Sequence, residues 1–176
     1  QYLLDWKTNP NHKPLIIKGA RQVGKTKSIK HFAEQNYESI VEINFAEDPV
    51  YKQIVENGYS AEAVIRNISR INPEARFAKG KTLIFFDEIQ EFPDVATSLK
   101  FFSLDGNYDV ICSGSLLGVH YKEISNISVG YKTETEMRSL DFEEFLWALG
   151  YDDSIKEDVL SHMKSFTPFS PVVLKI

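Results

Sequence analysis

A single cysteine, Cys112, occurs in 176 residues. No disulfide framework can form within the chain, and a reducing, cytoplasmic setting is expected. Long hydrophobic runs are missing too: none approaches the roughly 18 residues that cross a bilayer, and the N-terminus has no basic-then-apolar secretory pattern. Positive charge is not in excess. Twenty Lys and Arg stand against 25 Asp and Glu, a formal net charge of −5, which argues against broad electrostatic capture of nucleic acid or anionic membrane. Histidine is scarce: His12, His31, His120 and His162 are scattered without ligand spacing and read as surface or helix residues. Repeats and low-complexity segments are absent. What is present is ordinary for a globular protein, 43% hydrophobic residues in a chain long enough for one α/β domain with its own core.

Against this background one segment stands out. Gly19-Ala20-Arg21-Gln22-Val23-Gly24-Lys25-Thr26 fills the G-x-x-x-x-G-K-[ST] phosphate-binding pattern completely. It lies between an apolar run, Leu15-Ile16-Ile17, and a helical stretch from Lys27 to Gln35, the strand-loop-helix context that the pattern requires. The chemistry explains the residue types. Glycines let the backbone turn its N–H groups around a phosphate, and the following helix offers its positive end to the same anion. Lys25 is expected to reach the β- and γ-phosphates as a point charge and the Thr26 hydroxyl to ligate Mg²⁺, while Lys27 opens the helix beside them. Arg21 is not demanded by the loop chemistry and can face solvent or a partner.

A second block supports the same chemistry. Leu83-Ile84-Phe85-Phe86-Asp87-Glu88 is an unbroken apolar run that ends in two carboxylates, as expected of a strand buried on both faces whose C-terminal end meets a ligand crevice. Asp87 is expected to hold the Mg²⁺ through water, and Glu88 to polarise the attacking water as general base. Paired acids also simply end strands at surfaces; the complete phosphate loop upstream favours the functional reading.

Elsewhere the chain alternates strands and helices. Tyr2, Leu3 and Trp6 suggest a short opening helix able to flank an adenine base, Ile40 to Phe45 a second strand, and Asp48-Pro49 a capped helix start. Ser60 caps a helix carrying Val64, Ile65, Ile68 and Ile71, Asp94 precedes one with Val95, Leu99 and Phe102, and Asp109 to Ser113 forms the next strand. Four strands separated by helices predict a parallel sheet covered on both faces. Alternation from Lys132 to Arg138 predicts an edge strand, and Asp141 with Glu144 a capping box, with Gly150 as C-cap. Trp6, Trp147 and most phenylalanines read as packing residues. The expected division is a core over residues 1–150, with residues 151–176 beginning a helical lid or linker. The apolar ending Val172-Val173-Leu174 reads as a cut inside a larger protein, so low turnover is expected of this stretch alone.

Four blocks together, Gly19 to Thr26, Phe86 to Gln90, Cys112 to Gly118 and Leu140 to Leu146, resemble the prokaryotic predicted AAA+ superfamily ATPases over roughly Leu3 to Tyr151. The resemblance implies a P-loop NTPase core of AAA+ type, a five-stranded parallel sheet of order 5-1-4-3-2 with helices on both faces. A C-terminal nuclease-like domain usually follows in such proteins. By motif position it makes Ser113 the sensor that orients water, with Ser115 in reserve. It also places Arg138 where an arginine finger is expected, although alternation with Glu134 and Glu136 favours an exposed strand charge. The function expected is ATP binding and Mg²⁺-dependent hydrolysis driving a conformational change, with ATP and ADP as ligands and a homo-oligomer or partner protein left open. Two other classes share the loop: a nucleotide-dependent binding or scaffold module with little turnover, and a small-molecule phosphotransferase, which Glu88 directly after Asp87 disfavours.

Overall fold

A computed structural model of the protein describes residues 1–115, 124 and 127–168. The expectations for Leu116, Leu117, Gly118, His120 and the ending Val172-Val173-Leu174 lie outside those residues. The chain divides into two compact units, Gln1–Arg138 and Ser139–Ile176.

In the first unit the strands are β1 (Leu15–Gly19), β2 (Ser39–Asn44), β3 (Thr82–Asp87), β4 (Asp109–Ser115) and β5 (Thr133–Glu136), and the helices are α1 (Tyr2–Thr8), α2 (Lys25–Asn36), α3 (Ala61–Ile71) and α4 (Val95–Asp105). All pairings are parallel, and the strands lie in the order β2-β3-β4-β1-β5. Read from the other edge, this is 5-1-4-3-2. Parallel strands need crossovers, and the helices that supply them cover both faces.

The period of two along each strand sorts the core into two layers. Leu15, Ile17, Leu83, Phe85 and Ile111 face one way, against Trp6 of α1 and Ile29, Phe32 and Ala33 of α2. Ile16, Ile84, Phe86, Val110 and Cys112 face the other, against Val64 and Ile68 of α3 and Val95, Leu99 and Phe102 of α4. The run from Leu83 to Asp87 is therefore buried along its whole length, and Glu88 just beyond it is half-buried. Among the described residues β5 pairs with β1 alone and, as its alternation predicts, is an edge.

Local signals hold with instructive exceptions. Ser60 caps α3 by accepting from the Ala63 N–H at 3.2 Å. Asp48 does not cap: Pro49–Val55 is a 3-10 helix with Pro49 near its start, and the turn before it is closed by Asn44, whose side-chain oxygen accepts from Ala46 N at 2.9 Å and Glu47 N at 3.2 Å.

The second unit contains α5 (Phe142–Ala148) and α6 (Asp153–Ser165). The capping box is complete, with Glu144 N donating to Asp141 Oδ1 at 2.9 Å and Asp141 N to Glu144 Oε2 at 3.0 Å. Gly150 falls one residue past the C-cap, Leu149, in the left-handed region at φ 86°. Trp147 departs from the packing expectation, being about half exposed (51%). Hydrogen bonds from Ser154 hold the Asp152 carboxyl below its usual range.

Candidate functional site

The site forms where the C-terminal ends of β1, β3 and β4 meet the start of α2. β4 lies between β1 and β3 and pairs with both, so the phosphate-loop strand and the acid-tipped strand flank one central strand. Residues from three separate sequence blocks, the phosphate loop, Phe86 to Gln90 and the end of β4, converge here.

The loop leaves β1 at Gly19, runs through Gln22 and Gly24 in the left-handed region (φ 64° and 93°), and enters α2 at Lys25. A non-glycine residue at positive φ is uncommon, and together with Gly24 it turns consecutive peptide groups around the loop's concave side, the geometry that cradles anions. At Gly19 an added Cβ would collide with the Met137 carbonyl, so glycine there answers a close backbone approach as well as a phosphate. Met137 N donates to Lys18 O at 2.7 Å, and the Met137 side chain comes within contact range of a Cβ built at Gly24. Lys25 is buried, with its ammonium donating to the carbonyls of Gly19 at 3.1 Å and Ala20 at 2.7 Å. Ala20, Arg21, Gln22 and Lys27 are exposed along the loop, and Val23 is half-buried.

Across the strands, Asp87 is buried and fully engaged. Its Oδ2 accepts from the Thr26 hydroxyl at 2.9 Å; its Oδ1 accepts from Glu88 N at 3.0 Å and from the Ser113 hydroxyl. Ser113 thus sits between the two motifs, and Ser115, also buried, lies two residues on. The residues predicted for metal and water chemistry, Thr26, Asp87, Glu88 and Ser113, are all brought together. Thr26 and Asp87 present a hydroxyl and a carboxylate to each other, a hard oxygen pair of the kind that holds Mg²⁺ on a nucleotide phosphate. Among the described residues no group of three or more His, Cys, Asp or Glu gathers into a metal site of another type.

Glu88 adopts a left-handed backbone (φ 54°, ψ 47°) as the chain turns from β3 into the one-turn 3-10 helix Ile89–Glu91. Its carboxylate accepts from Gln90 Nε2, and Gln90 Oε1 in turn accepts from Ser115 N at 3.1 Å. Gln90 had no role in the sequence reading, although it stands in the block Phe86 to Gln90. Its signal was an amide, donor and acceptor at once, two residues after an acid pair.

Beside the loop, a pocket of about 440 Å³ opens between α1, α2 and β5, lined by Lys25 and by apolar side chains that include Leu3, Leu4, Phe32 and Met137. The Arg138 side chain is 84% exposed and lies 3.9 Å from Glu136, as an exposed strand charge would. His12 departs from the surface expectation: it is partly buried, with Nε2 2.7 Å from Asp109 Oδ1 at the opposite end of β4. Burial pushes the Cys112 thiol well above its ordinary range.

Sheet order, phosphate loop and acid-tipped strand together define a P-loop nucleotide-binding fold of the AAA+ type. The chain belongs to the AAA domain family, whose model matches residues 11–146. No match was found among curated proteins. Among solved structures, Drosophila ORC bound to DNA is similar at a TM-score of 0.56 and 15% identity, over 93% of this chain and 48% of that one. C. elegans PCH-2 aligns at a TM-score of 0.41 and 14% identity, over 94% of this chain and 44% of that one. The chain therefore spans about half the length of these structural relatives. Among the described residues no helix is long and apolar enough to cross a membrane.

Proposed function

We propose that this chain binds ATP with Mg²⁺ and hydrolyses it, using the bond cleavage to change its conformation or that of a partner. The observation that carries this reading is the convergence of Thr26, Asp87 and Ser113 on one another beside the phosphate loop, with Glu88 adjacent. Family membership supports nucleotide-dependent ATPase chemistry in general terms; the individual steps are assigned from the residues.

The phosphates lie in the loop, met by its inward N–H groups and by the start of α2. Lys25 exchanges its hydrogen bonds to the Gly19 and Ala20 carbonyls for the β- and γ-phosphate oxygens. Thr26 and Asp87 are the residues that would hold Mg²⁺, which when bound would neutralise charge developing on the phosphate oxygens. Glu88 accepts a proton from the attacking water, the water oxygen bonds to the γ-phosphorus, and ADP leaves with the bond electrons. Ser113 orients that water or steadies Asp87. The apolar pocket beside Lys25 takes the base. Two exposed arginines, Arg21 and Arg138, are the candidates for contact with a neighbouring subunit.

Titration with a fluorescent ATP analogue, followed by single-turnover phosphate release, tests the reading. Lys25→Ala is expected to weaken binding by roughly ten- to a hundredfold, the scale of a lost hydrogen bond to a charged group. Glu88→Gln is expected to keep binding and to slow hydrolysis by about a hundredfold, the usual worth of a positioned base. Equal affinity for wild type and Lys25→Ala would remove the loop as the site, and unchanged hydrolysis in Glu88→Gln would remove the base. A binding module with little turnover is the second reading, favoured by the engagement of the Glu88 carboxylate with Gln90. Tight binding without phosphate release in wild type would select it.

A further inference from the structure

We propose that Gln90 is a positioning residue that fixes the Glu88 carboxylate and couples it to the end of β4. The proposal rests on the reading of Glu88 as general base. Gln90 is buried, 7% exposed, on the one-turn helix Ile89–Glu91. That turn is closed by Glu91 N donating to Glu88 O at 2.9 Å and Phe92 N to Ile89 O at 3.1 Å, and it is anchored by the fully buried Ile89.

The orientation of the Gln90 amide follows from its neighbours. The backbone N–H of Ser115 can only donate, so the amide oxygen must face it, and that leaves the NH₂ directed at the Glu88 carboxylate. A side chain that needed either contact alone could be replaced by many residues. One that needs a donor and an acceptor at the two ends of a short span requires an amide.

The approach to β4 is equally specific. A Cβ built at Gly114 would lie 3.1 Å from Gln90 Oε1 and 3.3 Å from Ile89 Cγ1, tighter than ordinary contact, so the side chain fits against β4 because residue 114 has none. On the other side Glu88 keeps a left-handed backbone, a conformation that costs free energy in a non-glycine residue and persists where its surroundings fix it. The link therefore joins the end of β3, through Glu88 and Gln90, to Ser115, while two residues earlier on β4 Ser113 holds Asp87. The base and the metal-holding carboxylate are both registered against one strand. Displacing the end of β4 would move both.

Two independent readouts on the full chain test this. The first is a double-mutant cycle in single-turnover hydrolysis, run with nucleotide titrations. Gln90→Ala and Gln90→Glu are each expected to slow hydrolysis roughly tenfold, about the value of one hydrogen bond to a charged group, with nucleotide Kd within about twofold of wild type. In a Glu88→Gln background, Gln90→Ala is expected to add nothing, because it acts through the carboxylate already removed. The second readout is amide hydrogen exchange at Ser115: faster in Gln90→Ala, and near wild type in Gln90→Glu, which retains an acceptor.

A normal rate in both Gln90 variants, an accelerated rate, a parallel loss of nucleotide affinity, or multiplied effects in the double variant would each overturn the proposal. So would unchanged Ser115 exchange in Gln90→Ala, a result that does not depend on turnover. If Glu88→Gln itself hydrolyses ATP at the wild-type rate, the base assignment has failed first. Slow Glu88→Gln with normal Gln90 variants sinks the positioning role alone. Gln90→Glu also keeps the cycle readable should Gln90→Ala fold poorly.

Discussion

Gly19 illustrates how much a single position can decide at the residue scale. It ends β1, begins the phosphate loop and lets the Met137 carbonyl approach its Cα. Gly19→Ala is expected to lower stability by roughly 1–3 kcal/mol, because the obstacle is backbone and cannot swing aside; urea denaturation followed by circular dichroism measures it. Asp87 is the converse case, a buried carboxylate whose three donors come from Thr26, Ser113 and the Glu88 N–H. Asp87→Asn keeps the shape but removes the charge, so the Mg²⁺ concentration for half-maximal nucleotide binding should rise at least several-fold. An unchanged Mg²⁺ requirement would place the metal elsewhere. Cys112 is inert by the same logic of burial. Fully buried, with its thiol pKa pushed up by desolvation, it should react with a thiol reagent only as fast as the chain unfolds.

At the scale of elements, side-chain caps mark the starts of α3, α5 and α6, and packing holds the helices that lack them. α3 starts at Ser60, whose hydroxyl accepts from Ala63 N, and it buries Val64 and Ile68 completely. Ser60→Ala is expected to cost about 1 kcal/mol, the usual loss for an N-cap oxygen, seen as a lower urea midpoint at unchanged slope. The 3-10 helix Pro49–Val55 shows what competes with a cap. Asn44 closes the preceding turn through Ala46 N and Glu47 N, and in the helix itself Tyr51 N donates to the Asp48 carbonyl at 3.1 Å, so the backbone of Asp48 and not its side chain meets that N–H. α2 starts without any side-chain cap, with Gly24 in the left-handed region as its N-cap residue. A capping oxygen there would occupy the N–H groups that a phosphate needs.

On the scale of the whole molecule, the end of the sheet opposite the site is held by a polar cluster linking α1, the end of α2 and the start of β4. Tyr37 donates to Asp109 Oδ2 at 2.6 Å, His12 lies against Asp109 Oδ1, and Lys7 sits 3.6 Å over the Tyr37 ring. Burial first, then the hydrogen bond to Asp109, raises the Tyr37 pKa above its ordinary 10.0, and burial raises Tyr108 as well. A phenol whose folded pKa is raised contributes stability that is fully present below the unfolded value and is lost as pH climbs toward the folded one. Stability should therefore decline from about pH 10 upward. Tyr37→Phe should flatten that decline by up to one proton while losing some stability at neutral pH, as urea melts across pH 8–11 would report.

The sequence by itself determined the phosphate loop, because its glycines, lysine and threonine are local requirements at fixed spacing. It also determined the buried acid-tipped strand and the parallel α/β class, because periodicity and burial are written into neighbouring residues, as at Leu83 to Asp87. The strand order was legible only through resemblance, since nothing local to β1 or β5 says that they pair. Tertiary structure alone decided the rest. It brought Ser113 and Thr26 onto the two oxygens of Asp87, set Met137 against Gly19, and drew Gln90 across from Glu88 to Ser115. It also left Trp147 half exposed and partly buried His12, two side chains whose composition suggests the opposite. The physical reason is range: backbone propensity and periodicity act over a few residues, whereas these contacts join positions that only the packed sheet makes neighbours.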